Sequence, residues 1–371
     1  MPYSKSLPKL TLGIEEEYQI IDPESRQLAP HRDEMLAAGE KILGDQIKPE
    51  FMRSQVEIGT KVCADIHEAR AEVCRLRRSV RGLLADHGLS MAAASTHPMS
   101  EWKEQERMPA DRYRKLEDDL RDVARRLLIF GMHVHVGIED PELRIDVLNQ
   151  ARYFMPHILA LSTSSPFFHG RDTGLKSYRS VIFENMPRSS IPPSFRSWSE
   201  YQDLIDTLIA TGSIEEPTQI WWDIRPHPKF PTLEFRVSDV CTRVDECIGV
   251  AALLQALVAK LIKLRFENQS WRPYRNHLIT ENKWRAVRYG LDGKLIDFGK
   301  REEVPLRNLI LELLELVDDV VDELGVRDDL EHVHRMLRDG SSADRQLATY
   351  RKTGRLEDVV DQLIAESAEG C

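Results

Sequence analysis

Residues Thr11–Ile21 read TLGIEEEYQII, and the alternation of apolar and polar side chains in this stretch predicts a β-strand. The turn-forming run Asp22–Ser25 ends it. Because successive side chains of a strand point to opposite faces, Glu15 and Glu17 share one face and Glu16 lies on the other. Two carboxylates so close together repel each other unless a cation neutralises them. We therefore expect Glu15 and Glu17 to face a metal, and Glu16 to make a structural pairing.

Hard carboxylate oxygens of this kind suit Mg²⁺ or Mn²⁺. The neighbouring residues Leu12, Ile14 and Tyr18 are apolar, which makes a purely solvated charge run less favourable. An acidic triplet taken alone is nevertheless more often a surface feature than a metal site. The remaining motifs are needed to decide between the two interpretations.

Composition narrows the class of protein. The chain has 371 residues, of which 42% are hydrophobic and 30% charged, as in an ordinary globular enzyme. A net charge of -10 argues against a nucleic-acid-binding protein, which usually carries a clustered basic excess.

The run Met1–Lys5 lacks the apolar core of a signal peptide, and the apolar stretches are too short or too amphipathic to span a bilayer. Five cysteines without a CxxC pair fit a reduced protein. We expect a cytoplasmic protein without nucleic-acid or membrane partners.

Helical and strand patterns are mixed along the chain without a regular β-α-β series. Further strand patterns cover Lys48–Thr60, Ser90–Ser95, Ile129–Ile138, Ile220–Pro226 and Thr232–Ser238. Helical patterns cover Asp33–Leu43, Asp65–His87, Arg112–Leu128, Pro141–Leu161 and most of the chain from Val244 onward, apart from a predicted loop at Asn282–Phe298. Polar residues at alternate strand positions are typical of a sheet with helices on one face and a wet cleft on the other. We predict an α+β fold with one mainly antiparallel sheet, in a single domain that spans residues 1–371.

The second strand pattern carries Glu50 and Glu57. An odd separation of seven residues places them on opposite faces of an ideal strand, so both can join one site only where the strand bulges or ends. Glu57 and Gln55 share a face without such help. For Glu50 alone, an exposed strand carboxylate is an equally good interpretation.

The stretch Gly131–Gly137 reads GMHVHVG and predicts a strand with His133 and His135 on the same face. A lone histidine on a strand is usually structural, whereas two in alternation better indicate a metal or phosphate site. Zinc is the competing metal, because imidazoles suit it. It is less favoured here, since the other candidate ligands are carboxylates.

The last strand pattern places Glu234 beside Arg236 on one face. The two could form a simple ion pair, or a metal ligand beside a cation that stabilises a transferring phosphoryl group. The irregular segment from Ser162 to Ser197 adds Arg179 and Arg188. Arginines on such a loop can clamp a substrate carboxylate or phosphate, although surface arginines are the plainer interpretation of each.

These motifs together resemble the glutamate–cysteine ligase type 2 family. The resemblance is carried by Leu12–Tyr18 (LGIEEEY), Gln55–Glu57 (QVE), Gly131–Gly137 (GMHVHVG), Glu234–Val237 (EFRV) and Asn282–Ala286 (NKWRA). It implies a fold like that of glutamine synthetase and the guanidino kinases, with a curved antiparallel sheet whose concave face binds ATP and metals. It also implies an ATP-dependent carboxylate–amine ligase. ATP phosphorylates a side-chain carboxylate, and an amine then displaces the phosphate to form an amide.

The resemblance also implies roles for individual residues. Arg236 would stabilise the phosphoryl group in flight, with Glu17 as the other catalytic residue, and Arg179 or Arg188 would hold a substrate carboxylate. Glutamate is the expected acid, and cysteine is the amine by family name. The implied ligands of Mg²⁺ or Mn²⁺ are Glu15, Glu17, Glu50, Glu57, His133, His135 and Glu234.

Two other functions stay open from the sequence. A metal-dependent amide hydrolase could use the same carboxylates and histidines on water, and a non-catalytic binding protein could retain the fold. Where the family usually has a Pro-Arg-Thr-Gly loop, this chain reads Pro187-Arg188-Ser189-Ser190. It has no Walker A sequence, so ATP would depend on the sheet and on metals. We expect small-molecule substrates and a homo-oligomer.

Overall fold

The acidic strand forms the middle of the main sheet. The computed structural model of the protein describes residues 7–371. The run Met1–Lys5, for which we predicted that there is no signal peptide, lies outside the described residues. The first strand, β1, spans Leu12–Ile21. Leu12, Ile14 and Glu16 are buried, and the residues between them are partly open. One face of β1 therefore packs into the protein while the other faces a cleft.

The remaining strands of the described chain are short. They are β2 Ile47–Pro49, β3 Gln55–Gly59, β4 Ser90–Ala92, β5 Met132–Gly137, β6 Phe167–Phe168, β7 Arg171–Asp172, β8 Ser189–Ser190, β9 Trp221–Trp222, β10 Ile224–Pro226, β11 Thr232–Phe235, β12 Lys294–Asp297 and β13 Glu302–Pro305. Seven of those described form the main sheet, in the order β10-β11-β5-β1-β3-β2 with β4 also paired to β1. Every pairing in this sheet is antiparallel. The predicted α+β class with a mainly antiparallel sheet is confirmed.

The described helices cover one face of the sheet and build the C-terminal third. They are α1 Asp33–Leu43, α2 Ile66–Ala85, α3 Asp111–Leu120, α4 Asp122–Arg125, α5 Pro141–Ala151, α6 Met155–Ser162, α7 Tyr178–Phe183, α8 Trp198–Ala210, α9 Val244–Phe266, α10 Asn276–Tyr289, α11 Leu306–Leu324, α12 Arg327–Asp339, α13 Ser342–Thr353 and α14 Leu356–Glu366. By length and composition α9 could cross a membrane, but 83% of its apolar window is buried inside the protein. It is the central core helix, packed against β5 and α2.

Several sequence-based boundaries were wrong, three of them for a clear structural reason. The predicted strand over Lys48–Thr60 is two strands, because Phe51 and Met52 are both buried and interrupt the alternation. The predicted helix over Arg112–Leu128 breaks at Arg121, whose φ of 51° is incompatible with a continuous helix. The predicted loop from Asn282 is helical as far as Tyr289, since Asn282, Lys283, Ala286 and Val287 are buried on one side of α10.

Candidate active site

The acidic residues of β1 are divided between the two faces of the sheet. On the packed face, the Glu16 oxygens accept hydrogen bonds from Arg77 at 2.5 and 2.9 Å, and neither side chain has exposed surface. Tyr18 donates a further hydrogen bond to Glu16. Glu15 and Glu17 lie on the opposite, partly open face. The predicted structural pairing of Glu16 is confirmed.

Antiparallel register brings the predicted motifs together on that open face. The directly opposed residues are Glu15 with His133, Glu17 with Glu57, and Glu234 with His135. Opposed side chains of an antiparallel pair have Cβ atoms about 5 Å apart, so each pair is within reach of a shared ligand. Four segments that are distant in sequence therefore meet at one place.

One group of side chains, Glu15, His133 and Glu234, is named here the imidazole cluster. It offers three ligand atoms that lie within 4.8 Å of one another. Nδ1 of His133 lies 3.0 Å from Glu15 Oε2 and 3.9 Å from Glu234 Oε1. Nε2 of His135 lies 3.6 Å from the other Glu15 oxygen and has no hydrogen-bond partner within residues 7–371, although it is buried. A buried polar atom left without a partner fits a site built for a ligand.

The charge states in the imidazole cluster suit metal binding. Burial would raise the pKa of Glu15, but the hydrogen bond with His133 and the nearby His135 ring outweigh burial and hold that pKa well below its usual value. Burial also opposes ionisation of Glu234, yet Arg236 and Arg225 hold its pKa below the usual value. Burial, with the Arg236 charge, lowers the pKa of His133 to about 4. At neutral pH both carboxylates are ionised and His133 is a neutral imidazole, which are the states that bind metals.

A second group, Glu17, Glu50 and Glu57, is named the acid cluster. Burial, together with the Glu57 charge, raises the pKa of Glu17 to about 7 and that of Glu50 well above its usual value. Burial and the Glu15 charge raise the pKa of Glu57. In the described chain, the cation in ion-pair contact with the cluster is Lys48, 3.1 Å from Glu57, and its side chain is half exposed. The acid cluster is therefore short of positive charge, which a bound cation would supply.

Glu50 reaches this cluster because β2 ends at Pro49 and the chain turns before β3 begins at Gln55. Its carboxyl group lies close enough to Glu57 and Glu17 for their charges to raise its pKa. The strand therefore ends between Glu50 and Glu57, which is the condition under which both residues can join one site.

Two arginines flank Glu234. The sequence patterns identified Arg236 as a candidate but did not identify Arg225. Arg236 Nη1 donates to Glu234 Oε1 at 2.5 Å and lies 3.3 Å from His133 Nδ1. Arg225 Nε donates to the other Glu234 oxygen at 2.7 Å. The signal for Arg225 was its place on β10 directly opposite Glu234, which becomes visible only once the hairpin register is known. All three side chains are at least nine-tenths buried, so this is a desolvated charge network.

Arg179 is the arginine from the irregular segment that reaches the site. It is buried on α7, and its Nη2 donates to the carbonyl of Arg236 at 3.3 Å. A Cβ on Gly131 would lie only 2.7 Å from that nitrogen, so the glycine provides the space that the guanidinium occupies. The Gly131 N–H donates to Glu17 at 2.8 Å. Arg179 therefore lies beside the acid cluster, with Gly131 between them.

Arg188 lies apart from both clusters. Its Nε donates to the Gln219 carbonyl at 3.1 Å, and its guanidinium lies 5.5 Å from the ring centre of Trp221. Of the two arginines predicted to hold a substrate carboxylate, the structure brings Arg179 to the clusters.

A buried ion pair behind Arg236 was also missed. Lys283 Nζ lies 2.6 Å from Asp223 and 2.9 Å from Glu184, and its side chain is 3% exposed. The Asp223 carbonyl accepts the Arg236 N–H at 2.7 Å. Lys283 belongs to the Asn282–Ala286 motif, so the sequence contained the residue but not its partner. The pair anchors α10 to the backbone that carries Arg236.

The sequence model of the family described as "Glutamate-cysteine ligase family 2" matches residues 11–362 of the chain. The chain belongs to this family. A curated protein of Roseiflexus castenholzii, provisionally named glutamate–cysteine ligase 2, is 56% identical over 369 residues, which cover 100% of this chain and 97% of that protein. A protein of Solibacter usitatus with the same provisional name is 50% identical over 364 residues, covering 98% and 94% of the two chains.

Solved structures share the fold of this family 2 chain at low identity. The glutamate–cysteine ligase of Francisella tularensis, solved in complex with AMP, gives a TM-score of 0.72 at 14% identity and covers 98% of this chain and 90% of its own. The bifunctional glutathione synthetase of Pasteurella multocida gives 0.69 at 15% identity, covering 97% of this chain and 53% of its own. Family membership makes the protein an ATP-dependent carboxylate–amine ligase, so the predicted function class is confirmed.

The residues of this family 2 ligase fit divalent metal ions on two observations. In the acid cluster the Glu57 charge raises the pKa of both Glu17 and Glu50, and beside the imidazole cluster Nε2 of His135 has no partner in the described chain. Oxygen ligands dominate both groups, which favours Mg²⁺ or Mn²⁺ over zinc. Bound there, such ions would neutralise the charge of the ATP phosphates and polarise the transferring phosphoryl group.

We expect Mg²⁺ or Mn²⁺ to raise the unfolding temperature of the ligase, because either ion would bind the folded acid cluster and not the unfolded chain. At 100 times its dissociation constant an ion adds about 2.7 kcal/mol of stability. Thermal unfolding monitored with and without each ion measures this gain. Glu57→Gln should lose most of the gain, and Glu331→Gln, an exposed change on α12, should keep it. Stabilisation by zinc alone would contradict the choice of metal.

Proposed function

We propose that the protein joins glutamate to an amine in two steps at this site. In the first step, a side-chain carboxylate oxygen of glutamate attacks the γ-phosphorus of ATP, and ADP leaves. In the second step, the amine nitrogen attacks the carbonyl carbon of the acyl phosphate, phosphate leaves and the nitrogen loses a proton. Cysteine, the amine in the names of the relatives, is the first amine to test.

The observation that carries this proposal is the guanidinium of Arg236 between the two clusters. It is buried and bonded to Glu234, and the Glu17 charge also acts on it. A fixed, desolvated cation at that position stabilises the negative charge that spreads over a phosphoryl group during transfer. Nε of Arg236 has no hydrogen-bond partner in the described chain, so Arg236 keeps a donor for the phosphoryl oxygens.

Arg179 is proposed to hold a carboxylate of the acid substrate. Its guanidinium is buried, and among its charged neighbours are Asp239 and Glu17. Asp239 is occupied by Ser164, Ser165 and Ser177, which donate to its two oxygens at 2.7 to 2.9 Å. The hydrogen bond from its Nη2 to the Arg236 carbonyl orients Arg179, which has further guanidinium donors for a ligand.

The proposal extends to the protein as a whole. One catalytic unit over the chain, a cytoplasmic location and a homo-oligomeric state remain proposals. The family match over residues 11–362 supports the single catalytic unit, and the burial of α9 within the protein supports the cytoplasmic location. The two rival functions predict different nucleotide dependence, since a hydrolase turns over without ATP and a binding protein releases no ADP.

We expect the protein to release ADP from ATP and Mg²⁺ only when glutamate is present, and to form glutamyl hydroxamate when hydroxylamine replaces the amine. Hydroxylamine traps the acyl phosphate whatever the natural amine is. Arg236→Lys keeps the charge beside Glu234 but loses the planar donor fork, so hydroxamate formation should fall by about 100-fold. Arg351→Lys, an exposed change on α13, should leave it unaltered. Amide hydrolysis without ATP, or no hydroxamate with any acid, would overturn the proposal.

A further inference from the structure

Two cysteines meet where residue 371 packs against α2. Cys74 on α2 is 6% exposed, and its Sγ donates a hydrogen bond to the Gly370 carbonyl at 3.4 Å. Cys371 follows Gly370 directly and is partly exposed, so solvent and small molecules can reach the pair from that side. Both residues are free thiols. Two thiols far apart in sequence are therefore neighbours at the surface of the folded protein.

The contact with Gly370 brings the two side chains within reach of a disulfide bond. In a trans peptide the carbonyl oxygen and the next Cα lie on the same side, roughly 3 Å apart. The Cα of Cys371 is therefore no more than roughly 6.5 Å from Cys74 Sγ. Its own sulfur is within about 3 Å of that Cα, so a side-chain rotation with little backbone movement can bring the two sulfurs together.

The segment that carries Cys371 is ordered without such a bond. Ser367 Oγ accepts the Ala93 N–H at 2.8 Å, which attaches the end of α14 to the segment after β4. Gly370 has a φ of 80°, and a Cβ there would lie 2.6 Å from Cγ1 of Val244 on α9. The turn before Cys371 therefore needs glycine and packs closely. Because this segment is already fixed beside α2, closing the bond costs little further conformational entropy.

The surroundings of Cys74 favour its thiolate, which is the reactive form of cysteine. The neighbouring Cys371 lowers the pKa of Cys74, and the charges of Arg78 and Arg70 act in the same direction against burial. Cys74 in turn raises the pKa of Cys371. Burial raises the pKa of the other cysteines, Cys63, Cys241 and Cys247. Among the five cysteines, Cys74 is thus the one whose surroundings promote reaction.

We propose that Cys74 and Cys371 form a disulfide when the protein meets a small-molecule disulfide, and that this bond attaches the C-terminal segment to α2. The bond would close most of the chain into one covalent loop and so restrict the unfolded state. In reducing surroundings the two thiols would be restored, as is usual for disulfides of proteins in such compartments. The stability of the protein would then depend on its redox surroundings.

The reaction is an exchange in two steps. The Cys74 thiolate attacks one sulfur of the small molecule, whose S–S bond breaks, and one thiolate leaves. The Cys371 thiolate then attacks Cys74 Sγ in the mixed disulfide, and the second small thiolate leaves. The leaving groups take up the two protons that the cysteines lose. The protein pair is oxidised by two electrons, and the small disulfide is reduced to two thiols.

Incubation with glutathione disulfide, followed by alkylation, tests the proposal. We expect peptide mass spectrometry to find Cys74 joined to Cys371, and the oxidised protein to unfold about 3 °C or more above the reduced protein. Cys371→Ser, a change at a partly exposed residue, should lose both the bond and the temperature rise. Cys63→Ser is the matched control, because it removes another cysteine but keeps a donor for the Lys61 carbonyl, and it should retain both.

Absence of the joined peptide at every concentration of glutathione disulfide would overturn the proposal. A glutathione adduct that stays on either cysteine would also overturn it, since the second thiol would then be out of reach. The same temperature rise in Cys371→Ser would show that the stabilisation has another source. A bond between two copies of the chain, visible as a dimer in non-reducing electrophoresis, would exclude the bond within one chain.

Discussion

Glu17→Gln should lower ADP release by at least about 100-fold while the free energy of unfolding stays equal or rises. Glu17 lies directly opposite Glu57, and burial together with that charge raises its pKa to about 7. An amide of the same shape removes one repelling charge from the folded protein, so the free energy of unfolding should not fall. It also removes one proposed metal ligand, so ADP release should fall. ADP release and urea unfolding, measured on the same preparation, test both parts of the expectation.

Glu24→Gln, an exposed change in the turn after β1, is the matched control and should leave both quantities unaltered. Full ADP release by Glu17→Gln would mean that the acid cluster is not part of the active site. Glu234→Gln is a poorer test, because Glu234 pairs with both Arg225 and Arg236. Its loss would leave two buried guanidinium groups undercompensated, so activity and folding would fail together.

Arg77→Met should lower the free energy of unfolding by about 3–5 kcal/mol, the usual cost of breaking a buried ion pair from one side. The change leaves the Glu16 carboxylate buried without its cation. It also removes the donors that Arg77 gives to the carbonyls of Cys241 and Thr242 at 2.9 and 2.7 Å. Urea unfolding followed by circular dichroism measures the loss, and any residual folded protein should retain its ADP release per molecule.

A double variant separates the buried charge from the packing. Arg77→Met with Glu16→Leu removes both charges and should recover much of the lost stability. Arg75→Met, on the same helix but 43% exposed, should cost little. A loss below 1 kcal/mol for Arg77→Met would show that the pair contributes little to folding.

Much of the site was predictable where a strand obeys its period of two. The assignment of Glu15, Glu17, His133, His135 and Glu234 to an open face needs only the alternation of side chains within their own strands. Glu50 could not be placed this way, since its position depends on the turn between β2 and β3. Arg225 and the Lys283–Asp223 pair were missed because each acts through a partner on another segment. A sequence pattern records periodicity within a segment but not which segments become neighbours.

The sequence by itself determined that the stretch Thr11–Ile21 is a strand and that Glu16 is turned away from Glu15 and Glu17. Those properties follow from local backbone geometry, which depends on neighbouring residues alone. Only the tertiary structure decided that Glu17 meets Glu57 and that Glu16 meets Arg77 from α2. Register and helix packing depend on burying the whole apolar face of the sheet at once. Three adjacent glutamates therefore acquire different roles through segments that lie far from them in sequence: a structural role for Glu16, a proposed catalytic role for Glu17 and a proposed metal-binding role for Glu15.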